Sequence, residues 1–113
     1  MKTSNEIPFR EQMEELNKNF TQAIEEKYSK RTAEKHYQVI DLFIDFICWD
    51  MQVSRFEDIT RGMANSYFRR WYISKIGDRT ESELKTSIKK FFLYLHENEG
   101  LTSETVLKSF KRN

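Results

Sequence analysis

Residues 29–50 read SKRTAEKHYQVIDLFIDFICWD, and this stretch decides the fold because it starts as a one-sided helix and ends apolar all round. With Ile40 as origin and about 100° per residue, Ala33, Tyr37, Ile44, Ile47 and Met51 fall within roughly 60° of it. They form one stripe. On the opposite side the first half carries Arg31, Lys35 and Gln38, whereas the second half carries Leu42, Phe46 and Trp49, a second apolar stripe. This helix is expected to run through the middle of a bundle and to push only its first two turns, with their cations, into solvent.

Working outward, the segment before it gives a first helix from about Pro8 to Lys27, with Phe9, Met13, Leu16, Phe20 and Ile24 at spacings of three and four. Pro8 suits a first turn. Its other faces are acidic, so it belongs on the outside. Residues 1–7 are read as a flexible N-terminus and residues 8–113 as a single helical domain. Ser29 is the expected N-cap of the central helix.

After Met51 the segment QVSRFEDIT shows no helical period, and Val53, Phe56 and Ile59 read as anchors of a loop closing one end of the core. Thr60 then caps a third helix lined by Met63, Ala64, Tyr67, Phe68 and Trp71, with Gly77 as its stop. Thr80 to Glu83 is a capping box that opens a fourth helix to about Glu97, its core stripe Leu84, Ile88, Phe91 and Leu95. Opposite that stripe lie Ser82, Thr86 and Lys89. A short fifth helix follows Thr102 or Ser103, with Val106, Leu107 and Phe110 available to its own bundle or to a partner. The expectation is an all-α bundle of four main helices plus a short C-terminal one. Phe43, Ile44, Ile47, Tyr67, Trp71, Ile88 and Phe91 should share its core, and Tyr37, Trp49 and Phe92 are read as core aromatics too.

The 113 residues suffice for one domain. A net charge of +1 with pI near 7.8 gives no global field marking a nucleic-acid binder, so any basic patch must be local. Residues 1–28 carry net −2 and residues 29–113 net +3. Cys48 is the sole cysteine, which excludes an internal disulfide and reads as a buried thiol in a reducing compartment. No run of 18 apolar residues spans a membrane and no signal-peptide core opens the chain. These features describe a soluble, cytoplasmic protein.

Chemistry-bearing patterns are sparse. Neither His36 nor His96 has a second ligand at metal spacing. Gly62, Gly77 and Gly100 stand apart and form no phosphate loop. Tyr94 and His96 are two apart on a helix and do not face each other. No catalytic, metal or cofactor site is expected.

Two polar helix starts remain, at 29–38 and 79–89. The succession of Ser29, Thr32, Ile40, Phe43 and Phe46, then Asp58, Ile59 and Thr60, then Thr80, Ile88, Phe91, Phe92, Tyr94 and Leu95 resembles the N-terminal core-binding domain of tyrosine recombinases, the phage integrase family. The likeness covers roughly residues 9–100. It departs from the family pattern at His36, where many members carry an aromatic residue, and at Lys27 and Tyr28, which replace a glycine turn. The family's catalytic domain is not in this sequence, so the resemblance implies a domain of a longer recombinase or a free-standing module, not a DNA-cleaving enzyme.

What the resemblance implies is a SAM-like helical domain forming half of a clamp around double-stranded DNA, with the second and fourth helices in or beside the major groove. Carried onto this chain, the DNA-binding residues are Lys30, Arg31, Thr32 and Lys35, and Arg79, Thr80, Ser82, Lys85, Thr86 and Lys89. Lysine and arginine neutralise phosphates, while Ser and Thr donate to phosphate or read base edges. The C-terminal helix would meet a recombinase catalytic domain or a neighbouring protomer, and the isolated domain would be monomeric. The plainer reading of the same cations is solvated helix surface. The other functional reading is a non-enzymatic SAM-like protein-interaction domain using Val106, Leu107 and Phe110.

Overall fold

The computed structural model describes residues 6–110, and everything described is helix, turn or loop. Helix α1 runs Glu6–Glu25 and α2 runs Lys30–Asp45, continuing into a π turn at Phe46–Asp50. A 3₁₀ turn at Phe56–Asp58 precedes α3, Arg61–Ala64, and α4, Ser66–Lys75. Helix α5 spans Glu81–Tyr94 and widens into a second π turn, Leu95–Glu99, before α6, Glu104–Ser109. Helix α1 thus takes in Glu6 and Ile7. The expectation for residues 1–5, and the cations Lys111 and Arg112, lie outside the described residues.

The central helix is buried as its pattern demands. Ile40, Phe43, Ile44 and Ile47 are each 0% exposed, which removes their apolar surface from water and supplies the main driving force of the fold. Helix α1 packs along α2, α5 packs against both, and α6 closes over α3 and α5. Phe43 is the aromatic hub, meeting Phe68 of α4 edge-on at 5.3 Å and Phe92 of α5 at 6.0 Å. Phe20 of α1 meets Phe91 of α5 at 5.3 Å. Val53 and Ile59 anchor the loop as expected. The caps at Ser29, Thr60, Thr80 and Ser103 all accept an amide hydrogen bond.

Four aromatic placements are corrected. Trp49 is 67% exposed, because the π turn beginning at Phe46 adds a residue to the helical turn and swings position 49 off the α-helical stripe. Its ring lies beneath the Arg10 guanidinium instead, 5.6 Å away. Tyr67 is 48% exposed, since the predicted third helix breaks at Asn65, where φ −124° and ψ −102° separate α3 from α4. Tyr72 takes the buried place, Trp71 is half-buried, and Tyr37 sits at the surface. Cys48 is half-buried rather than sealed.

Helix α6 packs on its own bundle. Val106 is 0% exposed, and the Asn65 side-chain amide donates to Ser109 Oγ at 3.1 Å, tying α6 to the α3–α4 break.

Candidate nucleic-acid interface

The two polar helix starts meet along the α2–α5 seam. His36 Nδ1 and Ser87 Oγ are 2.7 Å apart, and Lys90 Nζ donates to Tyr28 OH at 3.1 Å, so α2 and α5 run side by side in opposite directions. Their N-termini therefore lie at opposite ends of one groove. Lys35, His36 and Val39 form one wall and Arg79, Ser82, Glu83, Thr86 and Ser87 the other, around a space of about 170 Å³. Beyond Arg79 it opens into a wider cleft that includes Asp78 and Thr80.

At the α2 end, Ser29 Oγ accepts from the Thr32 amide at 3.1 Å, and its own hydroxyl donates to Thr32 Oγ1 at 3.0 Å. Lys30, Arg31 and Lys35 are exposed and have no ion pair among the described residues. At the α5 end, Thr80 Oγ1 accepts from the Glu83 amide at 3.2 Å, but the carboxylate of Glu83 turns to Arg79 Nη1 at 3.3 Å. Only half of the expected capping box is therefore in use. Arg79 also donates from Nε to Tyr72 OH at 2.9 Å, with its guanidinium 5.7 Å from that ring. It is a clamp between α4 and α5 as much as a surface cation.

Thus the structure brings Lys35, Arg79, Thr80, Ser82 and Thr86 together, with Lys30, Arg31 and Thr32 at the far end. Lys85 and Lys89 lie elsewhere. Lys85 sits 3.8 Å from Glu81 and borders a small pocket with Asn65, Phe68 and Arg69. Lys89 borders the groove between α5 and α6, beside Leu93, His96 and Lys108. Thr86 donates its hydroxyl hydrogen to Ser82 O at 2.7 Å, which leaves its oxygen as an acceptor.

Two residues of the seam escaped the sequence reading. The sequence reading gives His36 no partner, yet Ser87 is a lone polar residue on the α5 core stripe and a buried hydroxyl needs one. That was the available signal. Lys90 follows Thr86 by one turn, on the side facing Tyr28. Burial, then the charges of Lys90 and Lys35, hold the His36 imidazole below its ordinary pKa. Hydrogen bonding from Lys90, then its charge, lowers the Tyr28 phenol. Ser87 is 2% exposed, so its contact with His36 ties two helices and offers no nucleophile to a substrate.

No group of three or more His, Cys, Asp or Glu among the described residues is placed to hold a metal ion. None of the described helices is long and apolar enough to cross a membrane. The groove is lined by cations, hydroxyls, the Ser87-bonded imidazole of His36 and the carboxylate of Glu83, which pairs with Arg79. Comparison with known protein families, curated proteins and solved structures finds no match to this chain.

Proposed function

We propose that this chain is a duplex-DNA-binding module of a site-specific tyrosine recombinase or integrase, of the SAM-like core-binding type. In this reading it grips DNA with α2 and α5 and performs no cleavage step itself. The observation that carries it is the shared groove, in which Lys35 of α2 faces Arg79, just before α5, and Ser82 and Thr86 of α5, with Glu83 held by Arg79. Lys30, Arg31, Lys35 and Lys90 supply phosphate contacts along it, and Ser82 stands where a base edge or phosphate would be read. The two departures from the family pattern fall at this seam: His36 bonds Ser87, and Tyr28 holds Lys90 in place.

About four to six phosphate contacts give a slope of log K against log salt of roughly −3.5 to −5.5, with non-specific affinity of about 10⁻⁴ to 10⁻⁶ M. The test is a low-salt duplex titration of the parent and of Arg31→Glu/Lys35→Glu, with the fold of each checked by melting. The variant should bind more weakly and with a shallower slope. No duplex binding by the folded parent below about 100 μM at low salt, or an unchanged variant, rejects the reading.

The second reading, a non-enzymatic SAM-like protein-interaction domain, draws on the groove between α5 and α6. There Leu93, Leu107 and Phe110 line an open surface. Folded protein that ignores DNA but co-purifies with a protein partner through this groove favours it.

A further inference from the structure

Two stretches of the chain contain no acid. Residues 59–77 carry Arg61, Arg69, Arg70 and Lys75, and residues 84–96 carry Lys85, Lys89 and Lys90, in a protein with 18 acidic residues. The fold lays these stretches against each other. Ala64, Asn65, Phe68 and Arg69 border the same small pocket as Leu84 and Lys85. Asn65 also borders the next depression, together with Arg61, Tyr67, Lys108 and Ser109. Arg61, Arg69 and Lys108 therefore form a continuous basic flank on the side of α5 away from α2. None of the three has an ion pair among the described residues. The acids beside this flank are Glu81, which pairs with Lys85 at 3.8 Å, and Glu104, one turn before Lys108 on α6.

Helix α5 thus stands as a ridge with cations on both sides. With Ser82 at the crest and about 100° per residue, Thr86 and Lys89 stay within roughly 40° of it. Lys90 falls about 80° to the α2 side and Lys85 about 60° to the other. The major groove of B-DNA is about 12 Å wide and admits an α-helix. Its two walls are the two phosphate strands, so a helix lying in it meets one strand on each flank.

Resting on the duplex reading above, we propose that Arg61, Arg69 and Lys108 form a second phosphate-binding flank. It takes the strand across the major groove from the one that meets Lys35 and Lys90. The chemistry is counterion release by guanidinium and ammonium groups from a single duplex, and it adds affinity without sequence preference.

The test is a salt series of duplex titrations on the parent, on Arg61→Glu/Lys108→Glu, on Arg31→Glu/Lys35→Glu, and on all four changes together. Arg61 and Lys108 are both exposed, which keeps the first pair away from the core; Arg69→Gln is a second, milder probe of the same flank. Each pair should flatten the salt slope by about 2, and the fourfold variant by about 4. A folded Arg61→Glu/Lys108→Glu protein and a folded Arg69→Gln protein that both keep the parent's slope overturn the second flank alone. A complex that captures two differently labelled duplexes overturns the single-duplex geometry. A parent that binds no duplex overturns this flank and the duplex reading together.

Discussion

His36 Nδ1 and Ser87 Oγ meet at 2.7 Å across the α2–α5 seam, joining residues 51 positions apart. Ser87 is 2% exposed and has left water. A buried hydroxyl without a partner costs about 1–3 kcal/mol, so the contact favours the sliding position of α5 on α2 that brings Lys35 opposite Arg79. The buried pair and the exposed Lys90–Tyr28 contact together set the seam.

That pair makes stability depend on pH. Burial and the charges of Lys90 and Lys35 lower the His36 pKa in the folded state, while Glu83 and Arg79 share its groove. A lowered imidazole pKa means that the unfolded chain binds the proton more readily. The associated stability is fully present above the ordinary histidine value of about 6.5 and is lost as pH falls from there through the folded value. Urea midpoints of the parent should fall between pH 7.5 and 5 more steeply than those of His36→Gln. Parallel profiles would remove His36 from this role.

Core and surface aromatics should separate sharply. Ile47→Ala empties a fully buried site and should cost about 2–5 kcal/mol. Trp49→Ala gives up an exposed ring and a contact with Arg10, and should cost about 1 kcal/mol or less. Denaturant melts of the two variants check the ranking, and equal losses would contradict the placement of Trp49.

Arg79→Ala should destabilise the free protein by about 1–3 kcal/mol, because it removes a charged donor from Tyr72 OH and the partner of Glu83. Lys35→Ala, at an exposed site with no ion pair among the described residues, should stay within about 0.5 kcal/mol. Thermal melts distinguish the two before any ligand is added. A neutral Arg79→Ala would show that the guanidinium does not hold α4 to α5.

Val106→Asp should detach α6 and leave the rest folded. Val106 is fully buried, but its helix is only six residues long, so its stability depends on packing rather than on its own propensity. Amide exchange should become fast at residues 104–109 and remain slow at 40–47. Global loss of protection would instead make α6 part of one cooperative unit with α2.

What was legible in the sequence was azimuth around single helices. The Ile40, Ile44, Ile47 stripe and the caps at Ser29, Thr60 and Thr80 follow from local periodicity and from hydroxyls that serve orphan amides. Two kinds of feature were not legible. The π turn at Phe46–Asp50 and the break at Asn65 change the phase of a helix partway along it, and they moved Trp49 and Tyr67 to the surface. No residue type announces either. The division of Lys35 from Lys85 and Lys89 depends on which neighbour flanks each side of α5, and a helical wheel contains no neighbours. Ser87 carried a signal that went unread: a polar residue on an apolar stripe needs a partner, and the partner is His36 across the seam.

The acid-free stretches have one more consequence. Helix α1 carries Glu11, Glu14, Glu15 and Glu25 against Arg10 and Lys18, whereas α3 and α4 carry Arg61, Arg69, Arg70 and Lys75 and no acid. The whole chain carries only +1. Seen from afar such a molecule is nearly a neutral body with an electric dipole, and any charged surface exerts on it a torque rather than a pull. In physiological salt that torque acts only within about 8 Å. Orientation is then settled during the last nanometre of approach, after diffusion has already delivered the protein, and added salt should blur the angle of arrival before it slows the rate of encounter.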